Sequence, residues 1–263
     1  MVIRYPSSVG RYSTRLMRKG VLAEETYRCF NEWNLDQPFE ENIEQITHRN
    51  TIGAANQKWL GEVTRTLTSR FSADPRLGSL IRMAREKAGF QAWLPCLAHH
   101  IGRLDLFFRR FATEFLFDQY QQGTHRMRTE HVAPFVEQMW REREDSHGDL
   151  SAYGQVRMAR DLLLAGTILG ILEGKAVKSF KTPHLGRESF LYVLHSILED
   201  EKNPRRAVES PEWRVFLLTP TEVERELFSL HQYRVLHYET AGSLCQLSLP
   251  HQTLDEYVRS LTL

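Results

Sequence analysis

Ten side chains within the first 70 residues have the types and spacing to do chemistry on a polyanion. Arg11, Arg15, Arg18 and Lys19 lie in a stretch, residues 1–20, that also holds Arg4 and contains no acid. Arg49, Lys58, Arg65 and Arg70 continue the series, and Asn56 and Gln57 stand beside Lys58. Cations spaced this way can neutralise phosphates and release counterions, the main source of sequence-independent affinity for a nucleic acid. Amide side chains near the start of a helix suit base edges in a major groove, where Asn and Gln pair with adenine. Gly61, between the two groups, would let a backbone approach closely. The competing account is an ordinary solvated face, because amphipathic helices carry Lys and Arg outside as a matter of course.

The element that must position these groups is "THRNTIGAANQKWLGEVTRTLTSRF", residues 47–71. Read at helical spacing, Ile52, Ala55, Trp59, Val63, Leu67 and Phe71 form one apolar stripe. The far side offers Gln57, Lys58, Gly61, Arg65 and Thr68, with no acid among them. Thr51 is the expected N-cap. Upstream, "VLAEETYRCFNEW" places Leu22, Thr26, Cys29, Phe30 and Trp33 on one face, and "PFEENIEQI" follows after the start signal at Asp36–Pro38. Two short helices joined by a polar break, the second basic outside, predict a helix-turn-helix over the N-terminal region, residues 1–72.

Helical periodicity continues beyond it. "ADPRLGSLIRMAREKAG" predicts a helix from Asp74–Pro75 to Gly89; "FQAWLPCLAHHIG" and "RLDLFFRRFATEFLFDQY" follow, the latter apolar enough to be the central core element. "EHVAPFVEQMW" closes a central body, residues 73–143, and the charged stretch 141–149 is the candidate linker. In the C-terminal region, 150–263, a helix is expected from Ser151 to about Leu172 and another from Arg187. "TPTEVERELFSL" reads as a capped helix, and "YRVLHYE", "TAGS" and "LCQLSLP" as two strands around a glycine turn, the tail of a winged-helix unit. "HQTLDEYVRSL" is a final helix.

The net charge of +1 conceals opposed patches. Residues 65–128 hold eleven basic groups against five acids, whereas acids concentrate in 129–149 and 199–226. Such patches suit a polyanion-binding face, and equally a protein that docks on other proteins. Cys29, Cys96 and Cys245 lie far apart without paired spacing, which fits free thiols in a reducing cytoplasm and makes zinc unfavourable. The N-terminus has no apolar core to make a signal peptide. The longest charge-free apolar run, "LLLAGTILGIL" at 162–172, has eleven residues, far short of the roughly 20 needed to span a bilayer. A cytoplasmic protein without a membrane segment is expected.

Catalytic signatures are missing: no phosphate-binding glycine loop, no strand-borne "GxGxxG", no "HExxH" and no "GxSxG". His99 and His100, with Asp105 nearby, invite a metal, but adjacent residues on a helix point about 100° apart and cannot share an ion. Glu142, Glu144 and Asp145 read as linker charge. At the C-terminal hairpin, Thr240, Gly242, Ser243 and Arg234 could touch DNA, yet Glu222, Glu224 and Glu226 make the preceding helix acidic; Arg205 and Arg206 are the basic pair close by. A protein-contact or structural role is expected there.

The order of these features resembles the BrxA family, the small component of the BREX phage-resistance systems of bacteria. An arm "YSTRLMRKGVLAEET" leads through a short helix and a polar break to a helix ending "TRTLTSRF"; "LLLAGTILGILEG" and "ESFLYVLHSIL" come next, before the terminal hairpin. The resemblance covers most of the chain. It implies a helical body similar to the antitermination factor NusB, DNA binding as the leading activity, and operation beside a methyltransferase, a phosphatase-like protein and ATPases. The family was long catalogued as a putative inner-membrane protein, a label the short apolar run contradicts for this chain.

The expectation is therefore a mainly α protein: a multi-helix NusB-like body, an N-terminal helix-turn-helix and a small winged-helix-like C-terminal unit. Its function would be non-catalytic binding of duplex DNA, with no cofactor and no metal. A structural adaptor between defence proteins is the alternative. RNA binding ranks below both, because a surface strip of aromatic and basic residues for base stacking is missing.

Overall fold

The structure, a computed structural model, describes residues 10–85, 89–143, 148–242 and 244–261. Arg4, Glu144, Asp145 and Ser243 lie outside those residues. As the periodicity predicts, the chain is mainly helical. The N-terminal elements are α1 (Arg15–Lys19), α2 (Ala23–Asn31), α3 (Phe39–Arg49) and α4 (Gln57–Phe71). All five residues assigned to the inner face of α2 and its flanks are buried, from Leu22 to Trp33. α3 packs on α4, the order a helix-turn-helix requires.

The turn between them differs from expectation. Thr51 is not the N-cap of α4; Asn56 is, its Oδ1 accepting the Trp59 amide at 2.9 Å. α3 ends on Asn50 in the left-handed region (φ 51°), and the Asn50 side chain closes a ring onto Ala54, donating to its carbonyl at 2.9 Å and accepting its N–H at 2.8 Å. Gly53 at φ 66° completes the reversal. The later start moves the apolar stripe: Leu60, Val63, Leu67 and Phe71 are buried, whereas Trp59 keeps 38% of its surface exposed and Ala55 is exposed.

α5 (Leu77–Arg85) and α6 (Gly89–Leu104) follow. The expected core element "RLDLFFRRFATEFLFDQY" is a helix in three parts, α7 (Leu106–Arg110), a π-helical turn (Phe111–Leu116) and α8 (Phe117–Gln121). Phe107, Phe108, Phe111 and Leu116 are fully buried. The helices buried all round are instead α6, from Trp93 to Gly102, and α11 (Arg187–Glu201), from Ser189 to Ile197. α9 (Thr129–Glu142) packs along α10 (Ala152–Ile168). α10 stops four residues before the expected Leu172, because Gly170 turns at φ 80° and Leu172–Glu173 becomes strand β1, paired antiparallel with β2 (Ser179–Phe180).

After α11 come α12 (Pro204–Val208), a 3-10 turn (Pro211–Phe216) and α13 (Pro220–Gln232), which opens on a capping box: Thr219 caps Glu222, whose carboxylate accepts the Thr219 amide at 2.7 Å. The expected hairpin is β3 (His237–Ala241) and β4 (Leu244–Ser248), and α14 (Leu254–Leu261) follows it. Arg234 precedes the strand rather than lying on it, in a left-handed turn at φ 56°. The buried apolar residues, Phe117 apart, form one continuous cluster from Leu16 to Val258.

Candidate nucleic-acid interface

The N-terminal arm is built into the fold by its backbone. The Arg11 N–H donates to the Leu104 carbonyl at 3.2 Å, and the Leu106 N–H returns to the Arg11 carbonyl at 3.0 Å. Tyr12 meets Phe107 edge-on with ring centres 4.9 Å apart, and Leu16 and Met17 of α1 are buried. The arm thus runs across the junction of α6 and α7 and along the C-terminal half of α4.

Two of the ten sequence candidates hold the arm in place. Arg11 donates from Nη2 to the Ser69 carbonyl at 2.7 Å and to Ser69 Oγ at 3.1 Å. Arg70 reaches back to the end of the arm, donating to the carbonyls of Val21 at 2.6 Å and Gly20 at 3.0 Å. Burial, with the repulsion of Arg15 beside it, pulls the Arg70 guanidinium down to about 10, so it remains charged at neutral pH.

Two more meet on an acid. Glu62 lies between Gly61 and Arg65 on the outward side of α4, and it binds Lys19 Nζ at 2.7 Å and Arg65 Nη2 at 2.9 Å. The hydrogen bond from Lys19 is the largest influence on this carboxyl and keeps it below its ordinary value. Arg65 also donates from Nε to the Gly61 carbonyl at 2.8 Å. None of the five residues read as the far side is an acid, but Glu62, half-buried beside Gly61 and Arg65, brings one to its edge.

The remaining candidates are uncommitted cations and amides. Among the described residues, the charged groups of Arg15, Arg18, Arg49 and Lys58 have no ion pair and no hydrogen-bond acceptor. Arg18, Arg49 and Lys58 are exposed; Arg15 is half-buried. Gln57 is exposed beside Lys58, and Asn56 spends its side-chain oxygen on the cap. α4, with 15 residues, is about 22 Å long at ~1.5 Å per residue. It separates the Asn56–Gln57–Lys58 group at its start from Arg11, Arg15 and Arg70 at its end. Arg11, Arg15 and Arg70 line one cavity together with Asp105.

The sequence reading gave Glu62 no role, set Trp59 in the buried stripe and weighed Asp105 only as a neighbour of the histidine pair. Glu62 was visible in "WLGEVTR" at the position between Gly61 and Arg65. Trp59 was misassigned because the helix was begun five residues early. Asp105 carries no local signal beyond its N-cap spacing to Phe108, whose N–H it accepts at 3.1 Å.

The paired histidines are core groups. His100 bridges Asp74 (Nδ1 to Oδ2, 2.5 Å) and the Tyr192 hydroxyl (2.7 Å), while His99 contacts Ser196 Oγ at 2.9 Å. Burial opposes the charge of Asp74, but the charge and hydrogen bond of His100 prevail and lower its pKa. Burial pushes His99 well below the ordinary histidine value, which keeps it neutral. Among the described residues no group of three or more His, Cys, Asp or Glu could hold a metal ion. Glu142 pairs with Arg110 at 2.7 Å, and Glu224 accepts the Tyr238 hydroxyl at 3.1 Å, so these acids also have structural partners. Arg205 donates to the Gly242 carbonyl at 2.8 Å at the hairpin tip.

A conserved-sequence description matches this arrangement over residues 10–196, which take in the arm, α1 to α10 and most of α11: that of the BrxA family. The match extends over well over half of the chain, and the chain belongs to the BrxA family. Membership suggests a role associated with the BREX system. No curated protein and no solved structure matches the chain. No helix among the described residues is long and apolar enough to cross a membrane.

Proposed function

We propose that this chain is a non-catalytic, cytoplasmic DNA-binding component of a BREX phage-defence system, acting with its methyltransferase, phosphatase-like protein and ATPases. The observation that carries the reading is the set of unpaired cations, Arg15, Arg18, Arg49 and Lys58, placed around the arm and α4. Unpaired surface cations are available to phosphates at little cost, because no internal ion pair has to break. Arg18, Arg49 and Lys58 contact the duplex backbone, and Lys19 and Arg65 join them by exchanging Glu62 for phosphate. Gln57, with the free amide nitrogen of Asn56, faces the groove. Arg11 and Arg70 hold the arm in place.

The test is fluorescence anisotropy with a labelled random duplex across a salt series. Affinity should fall steeply with rising salt, and Arg18→Glu combined with Lys58→Glu should weaken binding at least tenfold while melting unchanged. A double variant that binds like the parent would remove these residues from the interface.

One observation favours the adaptor reading as a second function. Tyr153 and Val156, and further along α10 Leu164 and Ile168, are exposed, Tyr153 by 75%, with the exposed Arg157 and Arg160 between the two apolar pairs on the same face. A mixed apolar and basic face of this kind suits another protein. Co-purification with the other defence proteins that survives nuclease treatment, and is lost in Leu164→Glu, would support it.

A further inference from the structure

The cavity between the arm and the end of α4 has features that a duplex-binding face does not need. Its volume is about 370 Å³. That lies at the lower end of the ~300–1,000 Å³ typical of small-molecule sites. Three arginines, Arg11, Arg15 and Arg70, are among its lining residues. Arg11 and Arg70 are held by carbonyl oxygens, Arg15 by nothing among the described residues, and none of the three forms an ion pair with a carboxylate there. Burial is the main influence lowering the Arg70 pKa, and the attraction of Asp105 outweighs the repulsion of Arg15. An anion entering beside Arg15 would meet a guanidinium that no carboxylate in the cavity pairs with.

Hydroxyls complete the polar wall. Ser13 accepts the Arg15 N–H at 3.2 Å and Ser69 accepts from Arg11, so each keeps its own O–H proton for another acceptor. Opposite them Leu16, Ile101 and Leu104 make an apolar floor. Among the described residues that line it the one acid is Asp105, which is 7% exposed. It turns Oδ1 to the Phe108 N–H, and burial pushes its carboxyl up to about 7 against the attraction of Arg70 and Arg109, so a proton removes its charge easily when an anion arrives.

We propose that this cavity binds a phosphate monoester, with the phosphate held by the fork of Arg15 and the hydroxyls of Ser13 and Ser69, and the organic body resting on Leu16, Ile101 and Leu104. A guanidinium fork matches the tetrahedral oxyanion bidentately. The volume exceeds what a bare phosphate fills and leaves room for a nucleoside. Free mononucleotides and 5′-phosphorylated DNA ends share this chemistry.

Calorimetry on the full chain with dAMP, deoxyadenosine and inorganic phosphate tests the site directly. dAMP should bind at least tenfold more tightly than either of the others, and Arg15→Gln should lose at least tenfold with an unchanged melting temperature. Should Arg15→Gln also melt early, Arg15→Lys keeps the charge without the fork, and an affinity between parent and Gln variant is expected. A DNA end as the source appears instead as tighter anisotropy binding of a 5′-phosphorylated duplex than of its unphosphorylated twin, again lost in Arg15→Gln. The proposal fails if dAMP and the phosphorylated end both bind no better than their unphosphorylated controls, or if Arg15→Gln binds like the parent; dAMP binding no tighter than inorganic phosphate removes the floor from the site. Arg18→Glu with Lys58→Glu should leave dAMP binding unchanged, so the duplex reading and this one fail separately.

Discussion

Glu62 holds Lys19 at 2.7 Å across the groove between the arm and α4, and one turn on it also holds Arg65. The acid caps the two cations that stand midway along the basic face, so it competes with phosphate for both. Glu62→Gln should raise affinity for a random duplex by a fewfold, because Lys19 and Arg65 no longer have to leave a carboxylate, with the slope of log Kd against log salt little changed. A salt titration of parent and variant measures both quantities. An unchanged affinity would mean that Lys19 and Arg65 never reach the phosphates.

Arg70 acts differently, because its guanidinium is spent on two backbone carbonyls. Removing it leaves the Val21 and Gly20 oxygens without their charged donor. Arg70→Ala should cost about 2–3 kcal/mol, the range for hydrogen bonds to charged groups and for acceptors left unsatisfied. Urea denaturation of the variant checks the figure. A loss below about 0.5 kcal/mol would mean that the arm is held without this clamp.

Gly61 was expected to permit close approach of a backbone, and its surroundings allow a separate check. A methyl added there would meet only Arg65 Nη2, at 3.8 Å, and the position is an ordinary helical one. Gly61→Ala should therefore stabilise the chain by about 0.8–1 kcal/mol, the helix-propensity difference. Thermal melting decides. If duplex affinity falls as the melting temperature rises, the backbone at Gly61 lies against the nucleic acid.

What the sequence disclosed follows from which forces are local. Helix periodicity depends on burial of one face, so α2, α11 and α13 were legible from residues such as Phe30, Tyr192 and the Thr219–Glu222 box. The turn before α4 was not, since a ring closed by Asn50 onto Ala54 outcompeted Thr51, an equally acceptable cap by type. The roles of the basic residues were hidden for a stronger reason. Whether an arginine is free depends on partners far along the chain: Arg70 meets Val21 across 49 residues and Arg11 meets Ser69 across 58. No spacing rule distinguishes those from Arg18 or Lys58, which have no such partner among the described residues.

Asp105 provides the pH-dependent test of the cavity's electrostatics. Its carboxyl sits at about 7 rather than near 3.8, primarily because it is buried; the N–H groups of Phe108 and Phe107 and the charges of Arg70 and Arg109 offset only part of that effect. A folded pKa raised above the unfolded one means that protonation favours the fold. The stability this gives is fully present below pH 4 and is lost as pH rises through 7. Asparagine at this position keeps an oxygen for the Phe108 amide and never ionises. Asp105→Asn should therefore gain melting temperature relative to the parent between pH 5 and pH 8. Taking the difference at each pH removes the opposite trends of Asp74 and Asp200, whose carboxyls are lowered by their cationic partners and are present in both proteins. A difference that stays flat over that range would show that the charge of Asp105 is fully compensated by Arg70 and Arg109. The cavity would then hold three cations already balanced in part by a permanent carboxylate, and an incoming phosphate would have to displace that balance rather than complete it.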